Sequence, residues 1–233
     1  MNNIYREKHR VTHKKEWPYL DSMAQRAQRM KEIKEIKPGR LKSLKSILRK
    51  WQSLQRLEWW DYKGDCPWWY NERASLSLFA GAVWRSRGWV FEEFSTKRRV
   101  AKGRSEYRSS SGRCDIMFGI GKEQFIGEAK QCWPVLGPSL RNAIGEVNAC
   151  FKTALTQASQ LPSYEGERLA IVFVTPRIRA SKQGEVEMIV SKFVDQLKTK
   201  DVAMVCLFPK NGDKTTYRNY IYPGIILLMK SKR

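Results

Sequence analysis

Residues 113–130 read RCDIMFGIGKEQFIGEAK, two apolar runs rich in β-forming residues on either side of a Gly-x-Gly-Lys-Glu connection. This pattern predicts a β hairpin with a tight turn. If the turn centres on residues 121–122, antiparallel pairing sets Asp115 opposite Glu128. Side chains alternate between the two faces of a strand, so Lys130 shares the face of Asp115 and Glu128. The opposite face then carries Cys114, Ile116, Phe118, Phe125, Gly127 and Ala129.

Two carboxylates placed together in this way repel each other by roughly 4 kcal/mol at a separation of about 4 Å and an effective dielectric of ~20. A divalent cation removes the repulsion, and hard ions such as Mg²⁺ prefer carboxylate oxygens and are completed by substrate phosphates. Such an ion polarises a phosphodiester and activates water, while a neighbouring lysine orients that water. The residues therefore favour a phosphodiester hydrolase with Mg²⁺ or Mn²⁺ as its cofactor. The alternative is an ordinary surface salt bridge among the three side chains.

Asp115, followed by Glu128-Ala129-Lys130 on a hairpin, resembles the Asp…Glu-x-Lys signature of the PD-(D/E)XK nuclease superfamily. The resemblance implies an α/β fold with a restriction-endonuclease-like core, in which a mixed central sheet is flanked by helices. It also implies that Asp115, Glu128 and the backbone carbonyl of Ala129 hold the metal, and that Lys130 assists the attacking water. Cys114 stands where the first proline of the family name would lie, a position that varies widely.

Further site candidates come from the helices on either side of the hairpin. A helix predicted over residues 71–87 carries Glu72 in its first turn, where the resembling family often supplies another acidic ligand; Glu72 is therefore a candidate catalytic and metal-binding residue. The alternative role of Glu72 is favourable interaction with the helix dipole. A second helix, predicted over residues 139–161, ends near Gln157 and Gln160. With Tyr164 it matches a Gln-x-x-x-Tyr pattern of some family branches, so these three are candidate accessory residues.

The 233-residue chain is strongly basic, with 44 Lys or Arg against 23 Asp or Glu and a net charge of +21. A polyanionic partner is implied, and nucleic acid is the usual one. The charge does not distinguish DNA from RNA, and DNA is the favoured expectation. A membrane surface or ribosomal RNA would explain the charge alone. The five cysteines are scattered and odd in number, as expected of reduced thiols in a cytoplasmic protein. No apolar segment reaches the ~20 residues of a membrane helix, so no membrane partner is expected.

Two segments concentrate the positive charge. Residues 1–62 hold sixteen Lys or Arg against seven Asp or Glu, and they are expected to form a basic arm and a helical hairpin, with helices from Asp21 or Ser22 to Lys37 and over residues 41–57. Residues 97–113 are expected to form a flexible basic loop, because they include Ser109-Ser110-Ser111-Gly112. The candidate nucleic-acid-binding residues are Lys42, Lys45, Arg49, Lys97, Arg98, Arg99, Lys102, Arg104, Arg108 and Arg113. A solvated helix face and a plain surface loop are the alternatives.

The remaining pattern predicts the order of elements in a nuclease-like domain over residues 63–233, after a Trp-rich junction. A strand at 89–94 and the hairpin are followed by the helix at 139–161, a buried strand at 169–175, a helix at 183–198, a strand at 202–208 and a closing segment at 217–229. We therefore expect a metal-dependent endonuclease. A nucleic-acid-binding protein with an inactive site on the same fold, and a basic RNA-associated protein, are the alternatives. The form of the substrate and a homodimer or partner protein stay open.

Overall fold

The structure, a computed structural model, describes residues 32–56, 66–102, 106–198, 201–210, 212 and 216–232. Four α helices lie in these ranges: α1 (Lys45–Leu54), α2 (Glu72–Arg85), α3 (Arg141–Gln160) and α4 (Val186–Leu197). The strands are β1 (Ile33–Lys37), β2 (Trp89–Lys102), β3 (Glu106–Ile120), β4 (Glu123–Cys132), β5 (Val135–Leu136), β6 (Glu167–Val174), β7 (Arg177–Arg179), β8 (Ala203–Phe208), β9 (Thr216–Tyr217), β10 (Tyr220–Ile221) and β11 (Ile225–Lys232). None of the described helices is long and apolar enough to cross a bilayer.

The main sheet has seven strands in the order β1-β8-β11-β6-β4-β3-β2. Only β4 and β6 pair in parallel, and the other neighbours are antiparallel. The parallel pair needs a crossover, which α3 supplies between the two strands. The predicted α/β class with a mixed central sheet is therefore confirmed, and so is the predicted order of its helices and main strands.

Helices cover both faces of this sheet. On one face Trp51 of α1 packs against Phe173 of β6, and Phe79 of α2 packs edge-on against Phe118 of β3. On the other face α3 and α4 bury a second apolar cluster that includes Val147, Phe193, Val172 and Cys206. Residues 169–174 are fully buried because β6 lies between the two layers, as its continuous apolar run predicts.

A smaller second sheet follows the end of β4, with the order β5-β7-β10-β9. It lies beside the short 3-10 helix Pro67–Trp69 that precedes α2, because the Trp69 ring contacts Tyr217 and Tyr222 at centroid distances of 6.4 and 6.1 Å. The second sheet therefore borders the amino-terminal end of α2 and the carboxyl-terminal end of β4.

The prediction of a helix that ends at Lys37 is wrong over residues 33–37. This segment is strand β1, which pairs with β8 from Ile33↔Phe208 to Lys37↔Met204. The spacing of Ile33 and Ile36 fits a helix, but β-branched residues also fit a strand, and the edge of β8 supplies the hydrogen-bond partners. Residues 21–31 of the predicted helix lie outside the described ranges.

The second predicted helix is confirmed over Lys45–Leu54, with a 3-10 turn at Lys42–Leu44 before it. Its apolar face is buried as expected, including Leu44, Leu48 and Trp51. The boundary predicted at residue 62 lies outside the described ranges and stays a prediction. On the amino-terminal side of that boundary, β1 joins the main sheet and α1 packs in the same core as α2.

The flexible loop predicted over residues 97–113 is also wrong. There β2 and β3 pair as a two-stranded ribbon, from Ser95↔Arg113 to Lys102↔Glu106, which we call the arm. Period-two alternation explains the difference: Lys97 and Arg99 are exposed, whereas Thr96 is buried and Arg98 is half-buried. The serines and Gly112 lie within the β3 strand of this ribbon and do not loosen it.

Candidate active site

The hairpin predicted from residues 113–130 is present. A two-residue turn joins β3 to β4, and its Gly121 takes a left-handed φ of 59°, a conformation that favours glycine. The strands pair from Ile120↔Glu123 to Ile116↔Gly127, so the predicted register is confirmed. Asp115 and Glu128 come directly after the last pair.

Beyond that pair the two strands separate. β4 continues beside β6 to Cys132, while β3 continues with β2 into the arm. We call this opening the fork. The β2–β3 ladder is interrupted at the level of Asp115, where Glu93 takes a left-handed φ of 49°. The Asp115 side chain turns toward β4, and its Oδ2 accepts a hydrogen bond from the Ala129 backbone N–H at 2.8 Å.

A second carboxylate reaches the same edge of β4 from helix α2. The helix begins at Glu72, and the Asn71 side chain caps it by accepting a hydrogen bond from the Ala74 N–H at 3.1 Å. The Glu72 carboxylate accepts a hydrogen bond from the backbone N–H of Gln131. Asp115 and Glu72 therefore bind alternate backbone N–H groups of β4, those of Ala129 and Gln131, inside the fork.

Gln131 holds these elements together and was not recognised in the sequence. Its Nε2 lies 3.2 Å from the Trp68 carbonyl oxygen and 2.9 Å from that of Tyr70, and its Oε1 accepts a hydrogen bond from the buried Ser75 hydroxyl at 3.0 Å. These contacts fix the start of α2 against β4 and so position Glu72. A glutamine adjacent to the Glu-x-Lys motif is the only signal in the sequence.

The Lys130 ammonium lies among three oxygen atoms. Its Nζ donates to the Ala129 carbonyl at 2.6 Å and lies 3.9 Å from Asp115 Oδ2 and 3.9 Å from Glu72 Oε1. Asp115, Lys130 and Glu72 are each about a quarter to a third exposed, so the cluster opens to solvent. The structure therefore brings together three predicted site residues and the Ala129 carbonyl.

Glu128 has a different partner. Its side chain is 3% exposed, and its Oε1 accepts a hydrogen bond from Arg98 Nη2 on β2 at 2.5 Å. Arg98 also donates to the Arg113 carbonyl through Nε at 3.0 Å and through Nη2. The Arg98 side chain crosses β3 over Gly112, where an added Cβ would lie 2.6 Å from Arg98 Cδ. Gly112 thus supplies space for a close approach.

Burial and mutual repulsion perturb the acids of the site. The pKa of Glu128 is raised to about 7: burial raises it most and the Asp115 charge also raises it, while Arg98 and Lys130 lower it. Burial also raises the pKa of Glu72, with Lys130 lowering it and Asp115 raising it. The carboxylates of the site are therefore crowded enough that their charges cost free energy even beside two cations.

The residues fit a hard divalent cation in their chemistry. Carboxylates from Asp115, Glu128 and Glu72 and the Ala129 carbonyl are oxygen donors of the kind that Mg²⁺ prefers, and the raised pKa values mark charges that a cation would offset. In the described residues no three acidic, histidine or cysteine side chains are clustered closely enough to count as a ligand group. The Lys130 ammonium lies between the carboxylates of Asp115 and Glu72, and Arg98 forms an ion pair with the Glu128 carboxylate.

The basic candidates that the structure describes lie in two places, at α1 and on the arm. Lys42 is exposed on the 3-10 turn before α1, Lys45 and Arg49 are exposed on α1, and Lys97 and Arg99 are exposed on the arm. Arg98 points instead to Glu128, and Arg113 is exposed and pairs with Glu93 at 3.3 Å. The side chains of Lys102, Arg104 and Arg108 lie outside the part of the chain that the structure describes.

The three candidate accessory residues form no described contact with the Asp115, Glu72 and Lys130 cluster. Within the described ranges, no hydrogen bond or ion pair joins Gln157, Gln160 or Tyr164 to the acids or to Lys130. Tyr164 is 78% exposed, and the buried Oε1 of Gln157 has no hydrogen-bond partner.

The Cys114 side chain does not lie on the face of the hairpin that the sequence predicts for it. It packs with Ile126 and Leu161, away from the cluster of Ile116 and Phe118. The irregular backbone at residues 93 and 115 accounts for the change. Burial raises the pKa of the Cys114 thiol to about 12, and all five cysteines are free.

Comparison with protein-family models gives no match for the chain, and comparisons with curated proteins and with solved structures give none either. What the protein does must therefore be inferred from the chemistry of the fork.

Proposed function

We propose that the protein is a divalent-metal-dependent nuclease that hydrolyses phosphodiester bonds, with DNA as the favoured substrate. One observation carries the proposal: Asp115, Glu72 and the Ala129 carbonyl surround the Lys130 ammonium where β3 and β4 separate, and buried Glu128 directly precedes Ala129 on β4. The residue types of this cluster are those of the Asp…Glu-x-Lys resemblance, and they lie on a mixed sheet flanked by helices, which supports the proposal.

Each residue has a role in this proposal. Asp115, Glu128 and the Ala129 carbonyl would hold the metal, with Glu72 as a further oxygen donor. When bound, the metal would polarise the phosphodiester and lower the pKa of a water molecule. Lys130 would donate a hydrogen bond to the attacking water and balance negative charge as it develops on the phosphate. The hydrogen bonds from the Ala129 and Gln131 backbones hold Asp115 and Glu72 in position before substrate arrives.

Substrate binding would use the basic surface. The exposed residues Lys97 and Arg99 lie on the arm, whose β3 strand leads directly into Asp115. Phosphate contacts by such residues position a nucleic acid without reading its sequence. The net charge of +21 supplies the long-range attraction.

A nucleic-acid-binding protein with an inactive site is the second candidate. The observation that favours it is the existing ion-pair network, in which Lys130 neutralises Asp115 and Glu72 while Arg98 neutralises Glu128. Such a network could be purely structural, because each acid already faces a cation.

A cleavage panel decides between the two. Purified protein is incubated with duplex DNA, single-stranded DNA, a four-way junction and RNA, each with Mg²⁺, Mn²⁺ or EDTA. We expect cleavage that requires the metal and that falls by several orders of magnitude in Glu128→Gln, since the substitution removes an anionic oxygen. The matched control is Glu123→Gln, an exposed position on the same strand, which should cut like the wild type.

Nucleic-acid binding by Glu128→Gln should survive, because Lys and Arg supply most of the affinity. Cleavage that persists in EDTA would rule out the metal mechanism. Wild-type cleavage by a folded Glu128→Gln variant would show that the fork is not the active site.

A further inference from the structure

A second cationic feature lies on the small sheet, apart from the fork. A pocket of about 520 Å³ opens between β7 and the turn that joins β9 to β10. Its lining includes Arg179, Ser181, Arg218, Asn219 and Tyr220. The two arginines are exposed, and within the described residues neither forms an ion pair with a carboxylate. Two guanidinium groups beside hydroxyl and amide donors suit a phosphate.

Aromatic rings continue the pocket on one side. The Arg218 guanidinium carbon lies 5.1 Å from the centroid of the Tyr217 ring, and the Arg177 guanidinium carbon lies 5.4 Å from that of Tyr220. Tyr217 nevertheless remains 53% exposed. An exposed tyrosine beside arginines provides a stacking surface for a base next to phosphate ligands, which is how proteins bind single strands.

The backbone at Arg218 is an independent sign of a functional constraint. Arg218 and Asn219 form the two-residue turn between β9 and β10, with φ values of 48° and 65°. Asparagine tolerates this left-handed conformation and glycine adopts it freely, whereas arginine is strained in it. An arginine held in a strained turn, with its side chain lining a cationic pocket, points to a role for the guanidinium.

Residues at the pocket also contact segments that lie close in sequence to the residues of the fork. Tyr217 contacts the ring of Trp69, three residues before Glu72. On the other side, Arg177 Nε donates to the Trp133 carbonyl at 2.8 Å, three residues after Lys130. A strand of nucleic acid that leaves the fork across Trp69 would therefore meet the Tyr217 ring and then the two arginines.

We propose that this pocket binds a backbone phosphate of an unpaired stretch of the nucleic acid, with an adjacent base stacked on Tyr217. The substrate is then a single strand or a duplex with a single-stranded extension. The inference rests on the proposed function for its choice of nucleic acid as the ligand. The contribution of the pocket to nucleic-acid affinity is measured in a binding assay in which no cleavage takes place.

The test compares Arg218→Gly with Arg87→Gly by fluorescence anisotropy in EDTA, using a labelled single-stranded oligonucleotide and its duplex. Both substitutions remove one positive charge from an exposed arginine with a left-handed φ, because Arg87 has a φ of 64° at the end of α2. Neither should lower the melting temperature, since glycine relieves the backbone strain. We expect Arg218→Gly to weaken single-strand binding about tenfold and to reduce the salt slope by about 0.7, with little effect on the duplex.

A second variant, Tyr217→Ala, should weaken single-strand binding by about tenfold through lost stacking. Wild-type single-strand affinity in Arg218→Gly would overturn the proposal. Equal losses in Arg87→Gly, or equal losses for single strand and duplex, would also overturn it, because they would indicate nonspecific charge. None of these results depends on cleavage, so they are separable from the Glu128→Gln outcome.

Discussion

Arg98 on β2 donates a 2.5 Å hydrogen bond to Glu128 on β4, although β3 lies between those two strands in the sheet. The side chain can cross because Gly112 on β3 has no Cβ to block it. A buried carboxylate without a partner would be strongly unfavourable, and this contact offsets part of that cost. The ion pair thus links the arm to the residue that we propose as a metal ligand.

Substitution of Gly112 should disturb this crossing. We expect Gly112→Ala to displace Arg98, to lower stability by about 1–3 kcal/mol and to reduce cleavage, because the added Cβ would lie 2.6 Å from Arg98 Cδ. Urea unfolding and cleavage rates measure the two effects. Gly145→Ala is the control, since a Cβ there meets nothing within 4 Å. In an Arg98→Ala background, Gly112→Ala should cost much less; equal costs in both backgrounds would show that the clash is not with Arg98.

The pH dependence of stability should reveal the buried acid. Because the pKa of Glu128 is raised to about 7, the folded protein holds a proton between pH 4.5 and 7 that the unfolded chain releases. The contribution of Glu128 to the free energy of unfolding is therefore fully present below about pH 4.5 and is lost as the pH rises through 7. Glu128→Gln should accordingly stabilise the metal-free protein more at pH 8 than at pH 5, by on the order of 2–3 kcal/mol. Urea unfolding at both pH values tests this, and an equal effect at the two would contradict it.

The role of Lys130 in cleavage should be separable from metal binding. We expect Lys130→Met to reduce cleavage by about 10²-fold or more, because the group that orients water and balances charge is lost. Mn²⁺ binding, measured by calorimetry, should be retained or tightened, since an ammonium 3.9 Å from two carboxylate oxygens is removed. Lys122→Met in the exposed hairpin turn is the control. Loss of Mn²⁺ binding together with cleavage would indicate that Lys130 acts by holding the acids in place.

The basic face of α1 should contribute to nucleic-acid affinity. Deleting residues 1–62 is a poor test, because it would remove β1 and the fully buried Trp51. The charge reversal Lys42→Glu, Lys45→Glu and Arg49→Glu alters only exposed side chains and should weaken binding and flatten its salt dependence without changing the melting temperature. The control is the same six-unit charge change on the opposite face, in Arg141→Glu, Lys152→Glu and Lys192→Glu. Equal weakening by both triple variants would show a general charge effect.

Local patterns predicted most of the fold. The register of β3 and β4 follows from the turn position alone, so the place of Asp115 and Glu128 directly after the pair Ile116↔Gly127 needed no tertiary information. The buried strands and the helices followed from their apolar periodicity.

The features that the sequence did not predict depend on partners distant along the chain. Strand β1 is a strand because β8, about 170 residues later, offers it an edge. Arg98 was predicted to bind phosphate, and its contact with Glu128 depends on the space that Gly112 leaves in a different strand. Ser109–Gly112 indicated a loop from composition, but these residues pair with residues 96–99 of β2, a partner that composition does not reveal.

The Arg98–Glu128 contact joins the arm to the proposed site. On the tip side of Asp115, β3 has left β4 and pairs with β2, and Thr96 on β2 donates to the Glu165 carboxylate at 3.0 Å. A load that draws the arm away from β4 would lengthen the Arg98 contact and leave the charge of Glu128 open to another cation. In the proposed nuclease, nucleic acid that displaces the arm would therefore make Glu128 available to a metal ion.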